Sequence, residues 1–101
     1  MYNEGKSVAQ DSAEAIRWFR LAAEQGHANA QYNLGLICVT GEGVLQDNIR
    51  AHMWYNIASF NGLEEASKWK DGIAAKMTSA EISEAQKMAR ECMNSNYQDC
   101  R

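Results

Sequence analysis

The sequence contains no proline. Nothing in it is obliged to interrupt a helix, and its abundant Ala, Glu, Lys, Met and Gln favour helix throughout. An excess of charge of one sign is also lacking. Ten Lys and Arg face thirteen Asp and Glu, a formal net charge of −3, and no block of like charge stands out. The electrostatic basis for nucleic-acid binding is therefore missing. No apolar run is long enough to span a membrane. The opening residues, Met-Tyr-Asn-Glu-Gly-Lys, lack the apolar core of a secretion signal. A cytoplasmic chain and one whose leader has been removed both fit, so the compartment stays open. Histidine occurs only at His27 and His52, and cysteine only at Cys38, Cys92 and Cys100, with no Cys-x-x-Cys pair. That pattern offers no zinc site, and neither metal nor cofactor is expected.

What the sequence does contain is an internal repeat. Shifting it by 36 positions brings Gly5 onto Gly41, Val8 onto Val44, Gln10 onto Gln46, Asp11 onto Asp47, Ala15 onto Ala51, Trp18 onto Trp54, Ala22 onto Ala58, Gly26 onto Gly62 and Ala30 onto Ala66. A repeat of this length is the signature of stacked helical hairpins. The expected architecture is all-α, a right-handed α-solenoid of hairpins closed by a C-terminal capping helix. The 101 residues read as one domain: a partial repeat over 1–27, a complete repeat over 28–62, a degenerate hairpin with the capping helix over 63–93, and a short tail over 94–101.

Each element has its own signals. A helix is predicted over 11–25, capped by Asp11 with Glu14 three residues on. Its apolar stripe is Ala15, Trp18, Phe19 and Ala22, and Gly26 is placed to end it in a left-handed turn. A second helix over 28–39 carries Ala30, Leu34, Ile37 and Cys38 on one face. Gly35 inside that helix costs about 1 kcal/mol relative to Ala, which close approach of a neighbouring helix would explain. A loop with Gly41, Gly43 and Val44 follows. Asp47 then caps a helix with the stripe Ala51, Trp54, Tyr55 and Ala58, ended by Gly62. The next unit keeps Ala66 and Ile73 but replaces the Leu34–Gly35 pair with Lys70 and Asp71. Thr78 and Glu81 form a capping box for a last helix over 79–93. Its Ala85, Met88, Ala89 and Cys92 face inward, and its Glu84, Lys87, Arg90 and Glu91 face outward.

Ala30, Leu34, Gly35, Gly41, Gly43, Val44, Asp47, Ala51, Trp54, Tyr55, Ala58 and Gly62 together resemble the Sel-one-like repeat, a relative of the tetratricopeptide repeat. The chain departs from that pattern at Cys38, where Tyr is usual, and at Ser59, where Ala is usual. The segment from Met77 to Cys100 looks like the terminal segment of bacterial members. The resemblance implies a scaffold or adaptor that holds a protein or peptide partner and carries no chemistry of its own. A different class is set against it. Some cysteine-rich relatives of these repeats are discussed as penicillin-binding, and Ser67-Lys68-Trp69-Lys70 fits the Ser-x-x-Lys element of penicillin-recognising enzymes. The Ser-Asp-Asn and Lys-Thr-Gly partners of that element are both absent.

Other candidates follow from position. His27 and His52 read as surface or boundary residues, with no catalytic residue expected. Cys38 reads as a small core residue. Cys92 and Cys100 either form a disulfide that ties the tail to the last helix, in an oxidising compartment, or remain two thiols. Asn29, Asn33 and Leu36 share a flank of the first helix of their hairpin, and Glu65, Trp69 and Gly72 repeat that flank in the next unit. This is the candidate partner surface, with an aromatic anchor in polar surroundings. The alternative is that Trp69 packs beneath the last helix. Trp18 belongs to the repeated stripe, yet its helix lacks an upstream hairpin mate. Trp18 and Phe19 are therefore candidates for self-association, a homodimer formed through an uncapped N-terminal end.

Overall fold

The computed structural model describes residues 8–41, 47–98 and 100, with side chains from residue 14 onward. Within them the chain is all-helical: α1 (Val8–Glu24), α2 (Ala28–Thr40), α3 (Asn48–Phe60), α4 (Glu64–Ala74) and α5 (Ser79–Asn94). Gly43 and Val44, expected in the loop before α3, lie outside the described residues.

Helix ends follow the local chemistry, with one correction. Asp11 is not a cap, because α1 begins at Val8 and Asp11 lies inside it. Ala9 and Gln10 are good helix formers, and they carry the helix back past the expected start. Asp47 does cap α3, accepting a hydrogen bond from the Arg50 N–H at 3.0 Å. The Thr78–Glu81 box is complete. The Glu81 N–H donates to Thr78 Oγ1 at 3.1 Å, and the Thr78 N–H donates to Glu81 Oε1 at 2.9 Å.

The exits of α1, α3 and α5 share one geometry. Gly26 and Gly62 adopt φ of 88° and 105°. The residue after each donates back five residues, His27 N–H to the Ala22 carbonyl at 3.2 Å and Leu63 N–H to the Ala58 carbonyl at 3.1 Å. At the end of α5 the Tyr97 N–H makes the same bond to the Cys92 carbonyl at 2.8 Å. There Asn96 takes the glycine's place, at φ 61°, and Tyr97 follows at φ 66°. Asn tolerates this left-handed region better than most side chains. With Tyr97 left-handed as well, the chain turns back where the two earlier exits lead into another helix.

α3 is the centre of the structure. It packs against α2, α4 and α5, whereas α1 packs chiefly against α2. Five consecutive residues of α3, Ala51 to Tyr55, are buried, as are Ile57 and Ala58. Met53, Tyr55 and Ile57 are fully enclosed, each such burial being worth roughly 1.5–3 kcal/mol. Gly35 is the position that admits Tyr55: a Cβ there would lie 2.5 Å from the tyrosine Cε1, so any side chain would displace the ring. α5 covers α3 with small residues, Ala85, Ala89 and Cys92, all at 0 % exposure. Glu84, Lys87, Arg90 and Glu91 on its outer face are exposed, a polar face of the kind that closes a stack.

Candidate interaction surface

The side chains that α2, α3 and α4 contribute to one face centre on three aromatic rings. Tyr55 comes from α3, and its ring centroid lies 5.8 Å from Tyr32 of α2. Trp69 of α4 stands 6.5 Å from Tyr32, edge-on, and 6.4 Å from Tyr55. These separations are those of favourable aromatic pairs. The cluster grades outward, since Tyr55 is fully buried and Trp69 is 45 % exposed. Trp69 is thus held by two tyrosines from neighbouring helices and remains partly open to solvent. Glu65, exposed, lies beside the Tyr32 phenol. Burial, and then the charge of Glu65 and its hydrogen bond, push the Tyr32 pKa up. Burial also raises the Tyr55 pKa, with Tyr32 and Cys38 adding to the effect. Both phenols are neutral at physiological pH.

Asn29 and Asn33 belong to a different groove from the one beside Trp69. With Phe19, Ala22, Ala28 and Leu63 they line an open groove of about 490 Å³ that also reaches His27, Asn61 and Gly62. Leu36 is half-buried and lines neither this groove nor the recess beside Trp69. The proposed flank is therefore divided: Asn29 and Asn33 line one groove, Trp69 lines another, and Glu65 lines neither. That second recess, of about 300 Å³, lies between Val39 at the end of α2 and Trp69, Gly72 and Ile73 of α4, with Lys68 and Lys76 at its edges.

Among the other positions named from the sequence, some depart from expectation and Cys38 follows it. His52 is buried, at 3 % exposure, and its Nδ1 has no hydrogen-bond partner. It was expected at a surface or boundary, but α3 is covered on three sides and leaves no outer face there. Burial, and then the nearby Lys70 charge, push its pKa below 6.5, against a smaller opposing pull from Asp71. Trp18 sits on the repeated stripe but is 62 % exposed, while Phe19 is half-buried against the core. Cys38 is buried and free; burial and the charge of Asp47 raise its thiol to about 11, which leaves it protonated and unreactive. Ser67 is half-buried on α4 and Lys70 lies one turn on. No group of metal-binding side chains occurs among the described residues.

The C-terminal residues are not a loose tail. Cys92 and Cys100 are bridged, with Cα atoms 4.5 Å apart, and Tyr97 lies between them. Asn61 Nδ2 donates to the Tyr97 hydroxyl at 3.1 Å and to Gln31 Oε1 at 2.9 Å. The buried Gln31 donates in turn to the Ala23 carbonyl at 3.1 Å. One chain of hydrogen bonds thus links the exits of α1 and α3 to the segment after α5. Tyr32, Val39, Lys68, Lys76 and Tyr97 escaped the sequence reading. Gly72, already named on the candidate flank, carried a further signal as a glycine within a helix with no turn to make.

A model of the Sel1 repeat matches residues 1–27 and 28–62. The chain is similar to chitin synthase regulatory factor 3 of Schizosaccharomyces pombe, 38 % identical over 61 residues, which is 60 % of this chain and 6 % of that protein. It is similar to the chitin synthase regulator SKT5 of Malassezia restricta, 41 % identical over 60 residues, 59 % of this chain and 4 % of that one. It also resembles an exopolysaccharide production negative regulator of Rhizobium leguminosarum bv. viciae, 28 % identical over 90 residues, 74 % of this chain and 34 % of the relative. The chain thus spans a small part of the length of each.

Proposed function

Because the chain belongs to the Sel1 repeat family, we propose that it is a protein-binding adaptor, without catalysis of its own, whose partner contacts the face formed by α2 and α4. A regulatory role exercised through protein contact is what the repeat and the regulator-named relatives support. The observation that carries the surface is Trp69. It is a large aromatic side chain held in place by Tyr32 and Tyr55 while 45 % of it remains exposed. A ring that is already immobilised loses little entropy on binding, and tryptophan is the residue type most enriched among binding hot spots. Asn29, Asn33, Leu36 and Glu65, which do not line the recess beside Trp69, would be reached only by a partner that extends beyond it.

The named relatives regulate chitin or exopolysaccharide production. Enzymes that make surface polysaccharides, and proteins that control them, are the first candidates for the partner. The test is affinity capture from source-cell lysate, wild type beside the double variant Asn33→Glu, Trp69→Ala, read by mass spectrometry. A protein retained by the wild type and depleted tenfold or more by the variant is the expected result. Equal retention by both would remove the α2–α4 face from the account.

A second reading has an observation of its own. Trp18 is 62 % exposed and Leu21 49 %, an apolar pair on α1 that a second copy of the chain would cover. Sedimentation velocity should then show a dimer that Trp18→Glu dissociates. Phe19→Glu is the poorer test, because Phe19 packs on the core.

A further inference from the structure

Two glycines interrupt helices without ending them. Gly35 is accounted for by the Tyr55 ring packed against it. Gly72 is not accounted for in that way. A Cβ added there meets nothing within 4 Å, its φ is not left-handed, and it lies inside α4, where glycine weakens a helix. What Gly72 does is line the recess between Val39, Trp69 and Ile73; any side chain there would project into that space. The walls are apolar. Its two charged lining residues are Lys68, one turn before Gly72, and Lys76, in the turn that follows α4. Both are exposed. A chain of net charge −3 thus places two ammonium groups on either side of an apolar hollow kept open by a glycine.

We propose that this recess takes an apolar side chain of an acidic segment of a partner protein, the carboxylates on either side of it meeting Lys68 and Lys76. The inference rests on the adaptor reading and narrows it to one groove and one class of partner sequence. Charge complementarity selects the occupant. A basic segment would bring like charges to the rim, and a purely apolar one would leave both lysines without a counter-charge. Trp69 forms one wall, so the aromatic anchor of the proposed partner face and the recess are parts of one site.

The test is a titration of the ¹⁵N-labelled chain with a short synthetic peptide, a leucine flanked on both sides by glutamates, followed by NMR. A second peptide carries lysines in place of the glutamates. The expected result is saturable shifts at the Trp69 indole and at Gly72, at least tenfold weaker binding of the basic peptide, and weakening by salt. Gly72→Leu should fill the hollow and reduce affinity at least tenfold. Its fold should be as stable as the wild type, since leucine favours helix where glycine does not, so loss of binding cannot be ascribed to unfolding. Lys68→Glu with Lys76→Glu should lose as much. Absence of binding, equal binding of the two peptides, or full affinity in Gly72→Leu would overturn the proposal. So would the same shifts appearing on raising the chain's own concentration, which would identify a second copy as the occupant. Shifts confined to Asn29 and Asn33 would also overturn it while leaving the adaptor reading intact.

Discussion

α1 and α3 carry the same stripe 36 positions apart, and it meets different surroundings. Trp54 is 4 % exposed and Trp18 62 %. Tyr55 and Ala58 are fully buried, whereas Phe19 and Ala22 are half-buried. The residues are near-identical, so the difference lies in their neighbours: α3 is enclosed by α2, α4 and α5, and α1 rests chiefly on α2. In a stacked array a side chain's burial belongs to the position of its helix in the stack as much as to the side chain itself.

Substitutions can sharpen this contrast. Trp54→Ala should cost about 3–5 kcal/mol, the usual range for a buried large aromatic, whereas Trp18→Ala should change stability by only about 0.5 kcal/mol, as exposed positions do. Urea denaturation of the two variants measures both. Equal effects would mean that α1 is as well enclosed as α3.

The third neighbour of α3 can be loosened chemically. The Cys92–Cys100 bridge closes a short loop, with a sequence separation of 8, for which the chain-entropy account gives about 2.5 kcal/mol. Reduction should lower the denaturation midpoint accordingly and free the Tyr97 hydroxyl from Asn61. An unchanged midpoint, with both thiols titrating before reductant is added, would show that α5 is held without the bridge.

The two mid-helix glycines give a smaller contrast. Gly35→Ala should destabilise by about 1–3 kcal/mol through overpacking against Tyr55. Gly72→Ala should stabilise by up to about 1 kcal/mol, because its Cβ enters open space. Thermal denaturation of the pair separates a glycine that packing requires from one that keeps a recess open.

The smallest effect is in pH. His52 is held neutral by burial, so its folded pKa lies below 6.5. As pH falls below that value the unfolded chain takes up the proton first, and stability declines until the folded pKa is passed. Melting temperature should therefore drop between neutral and mildly acidic pH, and His52→Leu should flatten that slope. An identical slope in the variant would assign the decline to other groups.

The repeat was legible because its residues do local work. Gly26 and Gly62 adopt the left-handed conformation that ends a helix, Asp47 and Thr78 bond to nearby N–H groups, and Ala51, Trp54, Tyr55 and Ala58 recur at helical spacing. His52 was not legible, because a stripe argument assumes one buried face and α3 has neighbours on three sides. Nor was Tyr97, whose bond to Asn61 spans 36 positions and leaves no periodic trace. Asn29, Asn33 and Trp69 were reachable by aligning equivalent positions. Their separation into two grooves was not, since a groove is defined by where side chains are absent.

Two tryptophans are exposed, and the less exposed of them, Trp69, is the proposed partner contact. The decisive measurement is retention of the captured partner by Trp69→Ala and Trp18→Ala, quantified side by side against wild type. Trp69→Ala should lose at least tenfold, about 1.4 kcal/mol or more at a binding hot spot, and Trp18→Ala should retain the partner at the wild-type level. Loss in Trp18→Ala with retention in Trp69→Ala would move the interaction to α1 and contradict the assignment.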